Sequence, residues 1–293
     1  MNEQALKHRL KKASKILNIS YNEAWHILVL ERYLVRISSS IHRDKLIFKG
    51  GFLLAQYLDL GRETRDLDFL LKSISVNRDE IENIITDISA TVIDDGFKFK
   101  LNSIDDLEHT HMKYPGYQLI LEASFEKLKE KVSIDVGVGD VVDPVEDRVP
   151  LTRISDKGIF EDNLSILTYS PESIFAEKLE AAVSRGEVNS RMKDYHDMIL
   201  LIEAQGILLS PSKTVESIKK TFRNRGTSIE SLPLIFSQTG LQQLNKYWAA
   251  HRRKLPRVSL SKIPNSMDDV VNRINSYLKQ IQAFSIKKVW KDL

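Results

Sequence analysis

Cysteine is absent from the 293 residues, which removes disulfides, thiolate nucleophiles and every cysteine-based zinc or iron–sulfur site and fits a reducing interior. A strong charge imbalance is missing too. Lys and Arg number 43 against 40 Asp and Glu, a net charge of +3, too small to announce a polyanionic partner by itself, so local clusters must carry any such reading. The longest apolar stretches fall far short of the roughly 18 residues that a membrane span needs. The N-terminal segment MNEQALKHRLKKASKIL is charged and periodic, without the apolar core of a secretory signal. These absences lead to the expectation of a cytoplasmic protein with no membrane contact. With only 12 Gly and 8 Pro and no self-similar period, repeat arrays and low-complexity chains are excluded as well. What is there, 42% hydrophobic and 28% charged residues, is the balance of a chain that buries a core.

Apolar spacing predicts two or three helices over 4 to 42, interrupted near Asn18 to Asn22. From Leu46 the pattern changes to short β-rich runs at 46 to 48, 66 to 71, 97 to 101, 117 to 125 and 131 to 138, with helical pieces at 52 to 59 and 78 to 90. Helices and strands mixed in this order read as an α/β or α+β domain of catalytic size. The polar, Pro-containing stretch 141 to 158 reads as a linker or extended connection. Ser170 and Pro171 form a helix start, since Ser caps and Pro fits the first turn. Gly186 ends that helix. Further helices are expected at about 190 to 204, 211 to 223, 238 to 253 and 266 to 286. The organisation predicted is a domain over 1–165, N-terminal helices included, followed by an all-helical domain over 166–293.

The most informative stretch is KGGFLLAQYLDLGRETRDLDF from Lys49 to Phe69. Gly50 and Gly51 stand between an apolar strand and an apolar helix, where backbone N–H groups can approach phosphate oxygens at a helix N-terminus. Such a place suits a triphosphate, although a Gly-Gly pair there also serves simple turn chemistry. Asp66 and Asp68 flank Leu67 on a short strand, so period-2 geometry points both carboxylates to one face. They invite a divalent metal, most naturally Mg²⁺; the plain alternative is a surface pair. In KVSIDVGVGD the valines and Ile134 alternate with Ser133, Asp135, Gly137 and Gly139, which leaves Asp135 a lone acid on a face cleared of bulk. If that strand neighbours the Asp66 strand, three carboxylates can hold two metals for in-line nucleotidyl transfer.

Taken in order, Gly50-Gly51, Asp66-Leu67-Asp68 and Asp135 resemble the DNA polymerase beta-like nucleotidyltransferase superfamily. The finer pattern, FKGG, RETRDLDF, IDVGVGD, EKLEAAVSR and SRMKDYHDM across residues 49 to 198, is similar to the AbiEii/MenT toxin family of bacterial toxin–antitoxin and phage-defence loci. The resemblance implies a polymerase beta-like domain with a mixed sheet, a triphosphate cradled by Gly50 and Gly51, Mg²⁺ on Asp66 and Asp68, and Asp135 completing the acidic site. It places Lys49, Arg62 and Thr64 among the nucleotide-binding positions, and puts the later motifs on Lys178, Lys193, Asp194 and Asp197, with Lys178, Asp194 and Asp197 as further catalytic residues and Lys178, Arg185 and Lys193 as further nucleotide contacts. One departure is Gly51, where the wider superfamily often has a Ser whose hydroxyl contacts phosphate. An NTP substrate, an RNA acceptor with the 3′ end of tRNA leading, and a cognate antitoxin are further implications.

Read from the residues alone, Lys178, Arg185, Arg191 and Lys193 gather cations around a helix end and the next helix start, suited to a polyphosphate. Asp194 and Asp197 share a helical face. A solvated face with local ion pairs explains the same spacing. A second domain closing over a nucleotide would make a cleft. The basic runs KTFRNR (220 to 225) and HRRKLPR (251 to 257) suit RNA phosphates or plain solvent. His109 and His111 have the i, i+2 spacing of weak metal ligands, with a solvent loop as the simpler reading. His196 is expected to pack or be solvated. A helix-turn-helix over 4 to 42 is conceivable, though those apolar positions suit packing. The leading expectation is a Mg²⁺-dependent nucleotidyltransferase; the alternative is a module that binds nucleotide or nucleic acid without turnover and acts through a partner.

Overall fold

A computed structural model describes residues 1–72, 77–107, 116–140, 142–154, 157–161, 163–204 and 206–283; His109 and His111 lie outside the described residues. In chain order the elements are α1 (Glu3–Leu17), α2 (Tyr21–Ser39), β1 (Leu46–Lys49), α3 (Gly50–Tyr57), β2 (Asp66–Leu71), α4 (Arg78–Ala90), β3 (Phe97–Leu107), β4 (Gly116–Phe125) and β5 (Leu128–Val138). They continue with β6 (Val145–Pro150), β7 (Arg153–Ile154), β8 (Lys157–Gly158), β9 (Asn163–Thr168), α5 (Pro171–Arg185), α6 (Met192–Glu203), α7 (Pro211–Arg225), α8 (Gln238–Arg252), α9 (Arg257–Leu260) and α10 (Met267–Gln282). The chain forms two compact units: Met1–Gln56, Thr64–Gly139 and Pro144–Thr168 in the first, and Tyr57–Glu63, Asp140–Asp143 and Tyr169–Leu293 in the second.

The first unit is built on a mixed sheet of seven strands in the order β3-β4-β5-β2-β1-β9-β6. The alternation read from the sequence sets its faces. Phe97, Phe99, Leu119, Leu121, Phe125, Val132, Ile134 and Val136 are buried on one side, and α2 packs there through Trp25 on Phe97 and Tyr33 on Phe99. Helix α2 starts on Ser20, whose side chain accepts from the Glu23 N–H. It is buried along most of its length and carries Arg32 and Arg36, both paired with Asp95. Arg36 also donates to the Phe97 carbonyl at 2.7 Å, which satisfies charges that would be costly to bury alone. So enclosed, α2 presents no helix face of the kind a DNA-reading motif needs.

One expectation is corrected here. The stretch 141 to 158 is not a linker: Val145–Pro150 pairs along its whole length with Asn163–Thr168 and forms an edge of the sheet. Its alternation is masked because VEDRVP exposes charge on most positions and buries little more than Val149, as an edge strand allows.

In the second unit the described residues from Tyr169 onward form helices and turns without a strand. Ser170 caps α5 by accepting from the Ser173 N–H at 3.1 Å, with Pro171 in the first turn. Helix α6 buries nearly every residue from Met192 to Ile202. Arg225 is the hub of a buried ion cluster with Asp140, Glu177 and Glu180. Among the described residues no helix is long and apolar enough to cross a membrane.

Candidate active site

The register of the sheet decides what the three sequence-predicted aspartates do. Strands β2 and β5 run parallel as neighbours, with Asp68 opposite Asp135 and Asp66 opposite Ser133. Adjacent strands are about 4.8 Å apart, so the Asp68 and Asp135 carboxylates project side by side from one face, and Asp66, two residues along, shares it. Leu67, Phe69, Ile134 and Val136 are buried on the other.

The row extends in both directions. Lys49 on β1 stands opposite Asp68, and Gln118 on β4 stands opposite Asp135. The Gln118 amide donates to Asp135 Oδ1 at 3.0 Å. Lys49, Asp68, Asp135 and Gln118 therefore form one transverse line across four strands, a cation, two acids and an amide. Sequence reasoning missed Gln118. The signal was there in YQLILEASF, where Gln118 is the polar member of an otherwise apolar start; the antiparallel register that sets it opposite Asp135 was not.

Gly50 has a role that its sequence position did not reveal. Its φ of +75° is in the left-handed region, where a side chain is strained. A Cβ built there would lie 1.9 Å from Asp68 Oδ2 and 2.6 Å from Asp68 Cβ. The glycine thus makes room for the Asp68 carboxylate beside the start of α3, where the exposed N–H groups and the positive end of the helix favour an anion. Gly51 and Thr64 are half-buried near the ends of α3 and the β2 approach, and Asp66 is exposed. The donor set of Asp66, Asp68 and Asp135 is hard oxygen, the chemistry that Mg²⁺ selects. Among the described residues no group of three His, Cys, Asp or Glu is gathered as a metal cluster.

The later motifs come together inside the second unit. Lys178 Nζ sits 2.9 Å from Asp194 Oδ1 and 2.8 Å from Asp197 Oδ2. Arg62 donates to both oxygens of Asp197, at 2.9 and 2.8 Å, and Arg191 to Asp194 at 2.7 Å. Asp194 and Asp197 are buried, so this is no solvated face. Burial alone pushes the Asp194 carboxyl up, but Lys178 and Arg191 outweigh it and hold it at about 2. Asp197 is likewise held low against its burial, by Lys178 and Arg62. Burial lowers Lys178, and the two aspartates more than reverse it, keeping the lysine protonated. Lys193 points outward and is exposed, while Arg185 is half-buried in the last turn of α5.

His196 is packed, with Nδ1 3.0 Å from His251 Nε2, and burial pushes both imidazoles down to about 4. The basic runs are partly committed to structure. Arg225 is consumed by its carboxylates, Lys220 pairs with Asp143, and Arg252 donates to the Ile263 and Pro264 carbonyls and to Asn265.

Among curated proteins no match was found. Two solved structures align along most of their length: JHP933 from Helicobacter pylori, and an H. pylori protein described as a "putative nucleotidyltransferase". Each is 13% identical to this chain at a TM-score of 0.49. The alignments cover 89% and 90% of this chain, and 92% and 96% of theirs. A family model described as the nucleotidyl transferase AbiEii toxin of type IV toxin–antitoxin systems matches residues 32–273. That span holds both the strand row and the Lys178 cluster, and the chain belongs to the AbiEii family of nucleotidyltransferase toxins.

Proposed function

We propose that this nucleotidyltransferase moves a nucleotide from an NTP to an RNA end in the cytoplasm, with the 3′ end of tRNA as acceptor, and that a cognate antitoxin restrains it. The observation that carries the reading is the row Lys49, Asp68, Asp135 and Gln118 on one sheet face, with Gly50 opened to admit the Asp68 carboxylate.

Asp66, Asp68 and Asp135 would hold Mg²⁺, which when bound neutralises phosphate charge and acidifies a hydroxyl. Lys49, the N–H groups of Gly50 and Gly51, and Thr64 receive the triphosphate at the start of α3. The acceptor hydroxyl attacks the α-phosphorus, the bond from the α-phosphorus to the bridging oxygen breaks, and pyrophosphate leaves. Asp135 takes the hydroxyl proton, its Oδ1 oriented by the Gln118 amide. In the second unit Arg62, Lys178, Asp194 and Asp197 form a charge-compensated network whose buried pairs fix the start of α6. Arg185 and Lys193 are cations that this network does not consume, and we assign them to phosphate contacts.

The test is incubation with each α-labelled NTP, Mg²⁺ and total bacterial RNA, beside an Asp66→Ala, Asp68→Ala protein. Label in an RNA band that disappears with the double substitution is the expected result and names nucleotide and acceptor together. Label in RNA that persists with the double substitution would remove the acidic site from the reaction.

A further inference from the structure

The face of the sheet that carries Asp135 continues beyond the carboxylates. Toward the β4–β5 hairpin it carries two successive cross-strand rows, Lys100–Glu122–Lys131 and then Lys98–Ser124–Lys129. Strand alternation puts these residues on the same side as Asp135 and Gln118, opposite the Phe97, Phe99 and Ile134 core. All four lysines are exposed. Glu122 is the single acid among them and is paired with Lys129 at 2.9 Å. The face is therefore divided: acids and Gln118 at one end, a cationic field at the other, with the smaller Ser103, Ile120 and Ser133 aligned between. At about 3.3 Å per residue, Lys131 and Lys129 stand roughly 13 and 20 Å along β5 from Asp135.

Lysines on β3 have a second explanation, because β3 is an edge strand and charge there deters strand pairing with other chains. The same explanation covers part of β5, because β2 pairs with it only from Ser133 to Val138 and leaves Lys129 and Lys131 with β4 alone beside them. The four lysines nonetheless stand in two cross-strand rows on one face, a single continuous cationic surface.

We propose that the Lys98, Lys100, Lys129 and Lys131 field is the docking track for the acceptor RNA strand, holding its phosphates so that the terminal hydroxyl reaches Asp68 and Asp135. The proposal rests on the transfer reading above for the direction of the strand, and on charge complementarity for the occupant. A lysine-lined surface tracks a nucleic-acid backbone without reading sequence. The track is a few nucleotides long, the scale on which a single-stranded end lies along such a surface. Among the described residues of β3, β4 and β5 no aromatic side chain is on this face, so affinity comes from phosphate charge and falls steeply with salt.

The experiment uses the full chain without NTP and measures fluorescence anisotropy of a short fluorescein-labelled single-stranded RNA with a free 3′ hydroxyl, at several salt concentrations. Three proteins are compared: the unaltered chain, one with Lys98, Lys100, Lys129 and Lys131 each changed to Gln, and one with Lys7, Lys11, Lys12 and Lys15 of α1 changed to Gln. The last removes equal charge from exposed positions elsewhere on the first unit. Neutralising four phosphate contacts should raise Kd roughly ten-fold or more at about 50 mM salt and flatten the log–log salt slope by about 3, with the α1 variant within about two-fold. In turnover the track variant raises KM for RNA and leaves KM for NTP unchanged. Equal losses in both variants, which is the signature of bulk charge, or an unchanged Kd in the track variant, which points to an acidic protein surface as the occupant, overturn the proposal. Binding needs no turnover, so the two readings fail separately. Lysine-dependent binding without transferred label counts against nucleotidyl transfer alone, and transfer indifferent to the four lysines counts against the track alone.

Discussion

Replacing Gly50 by alanine tests the closest contact at the site. Two penalties are expected, and they separate. The first is backbone: φ of +75° costs an L-residue about 1–2 kcal/mol. The second is steric: the added Cβ falls 1.9 Å from Asp68 Oδ2 and 2.6 Å from Asp68 Cβ, so the aspartate must move, at a further cost of about 1–3 kcal/mol for an overpacked position. In an Asp68→Gly background both obstructing groups are gone and only the backbone penalty remains. Asp68→Ala would not serve, because its Cβ still obstructs. Urea denaturation of the four proteins, Gly50→Ala with and without Asp68→Gly, should give a coupling of about 1–3 kcal/mol. Transfer by Gly50→Ala alone should fall to the level of an Asp68 substitution, because the carboxylate is displaced. Equal destabilisation in both backgrounds, or near-normal transfer by Gly50→Ala, would refute the claim that Gly50 exists to place Asp68.

Gln118→Ala removes the donor to Asp135 and should lower the transfer rate about ten-fold or more with the fold intact by circular dichroism. Gln118→Glu sets a further acid beside Asp135, on the side away from Asp68, so the acidic limb of the pH–rate profile should move to higher pH; an unmoved limb would detach Gln118 from the chemistry. Asp197→Asn removes the carboxylate that Arg62 pairs with and leaves Lys178 with Asp194 alone, and should cost about 3–5 kcal/mol in denaturant, whereas Asp66→Asn at an exposed position should stay within about 0.5 kcal/mol. The His196–His251 pair predicts a pH dependence. Burial holds both imidazoles near 4 in the folded chain against about 6.5 unfolded, so the unfolded state binds more protons between those values. Stability is full above about pH 6.5 and declines toward pH 4, by on the order of 3 kcal/mol for the almost fully buried His196. Thermal melts across that window should show the decline, and His196→Gln should flatten it.

Much of the site was legible because strand alternation is a local property. Asp66, Asp68 and Asp135 were each placed on an outward face by their own flanking residues, and Gly50-Gly51 by the change from strand to helix. What was not legible depends on register. That Asp68 faces Asp135, that Gln118 completes the row, and that Lys98 and Lys129 align two strands apart all follow from which strands pair and in what offset. Apolar alternation does not encode that offset. The Lys178 cluster was found as motifs but not as geometry. Spacing put Asp194 and Asp197 on one face, yet only the packed helices show that face buried and Lys178 neutralised by both acids. Strand β6 was read as a linker because an edge position permits VEDRVP to expose nearly all its charge. The cap at Ser170 acts within four residues of chain, and the helix start it predicted stands where expected.

The most direct test of the central claim is the rate of nucleotide transfer to RNA by Asp68→Asn against the unaltered chain, with the fold of both checked by circular dichroism. If the carboxylate row performs the reaction, the rate falls by about three orders of magnitude, corresponding to about 4 kcal/mol of lost transition-state stabilisation, while the spectrum is unchanged. Transfer by a folded Asp68→Asn protein within about ten-fold of the unaltered rate would contradict the account and move the reaction away from this face of the sheet.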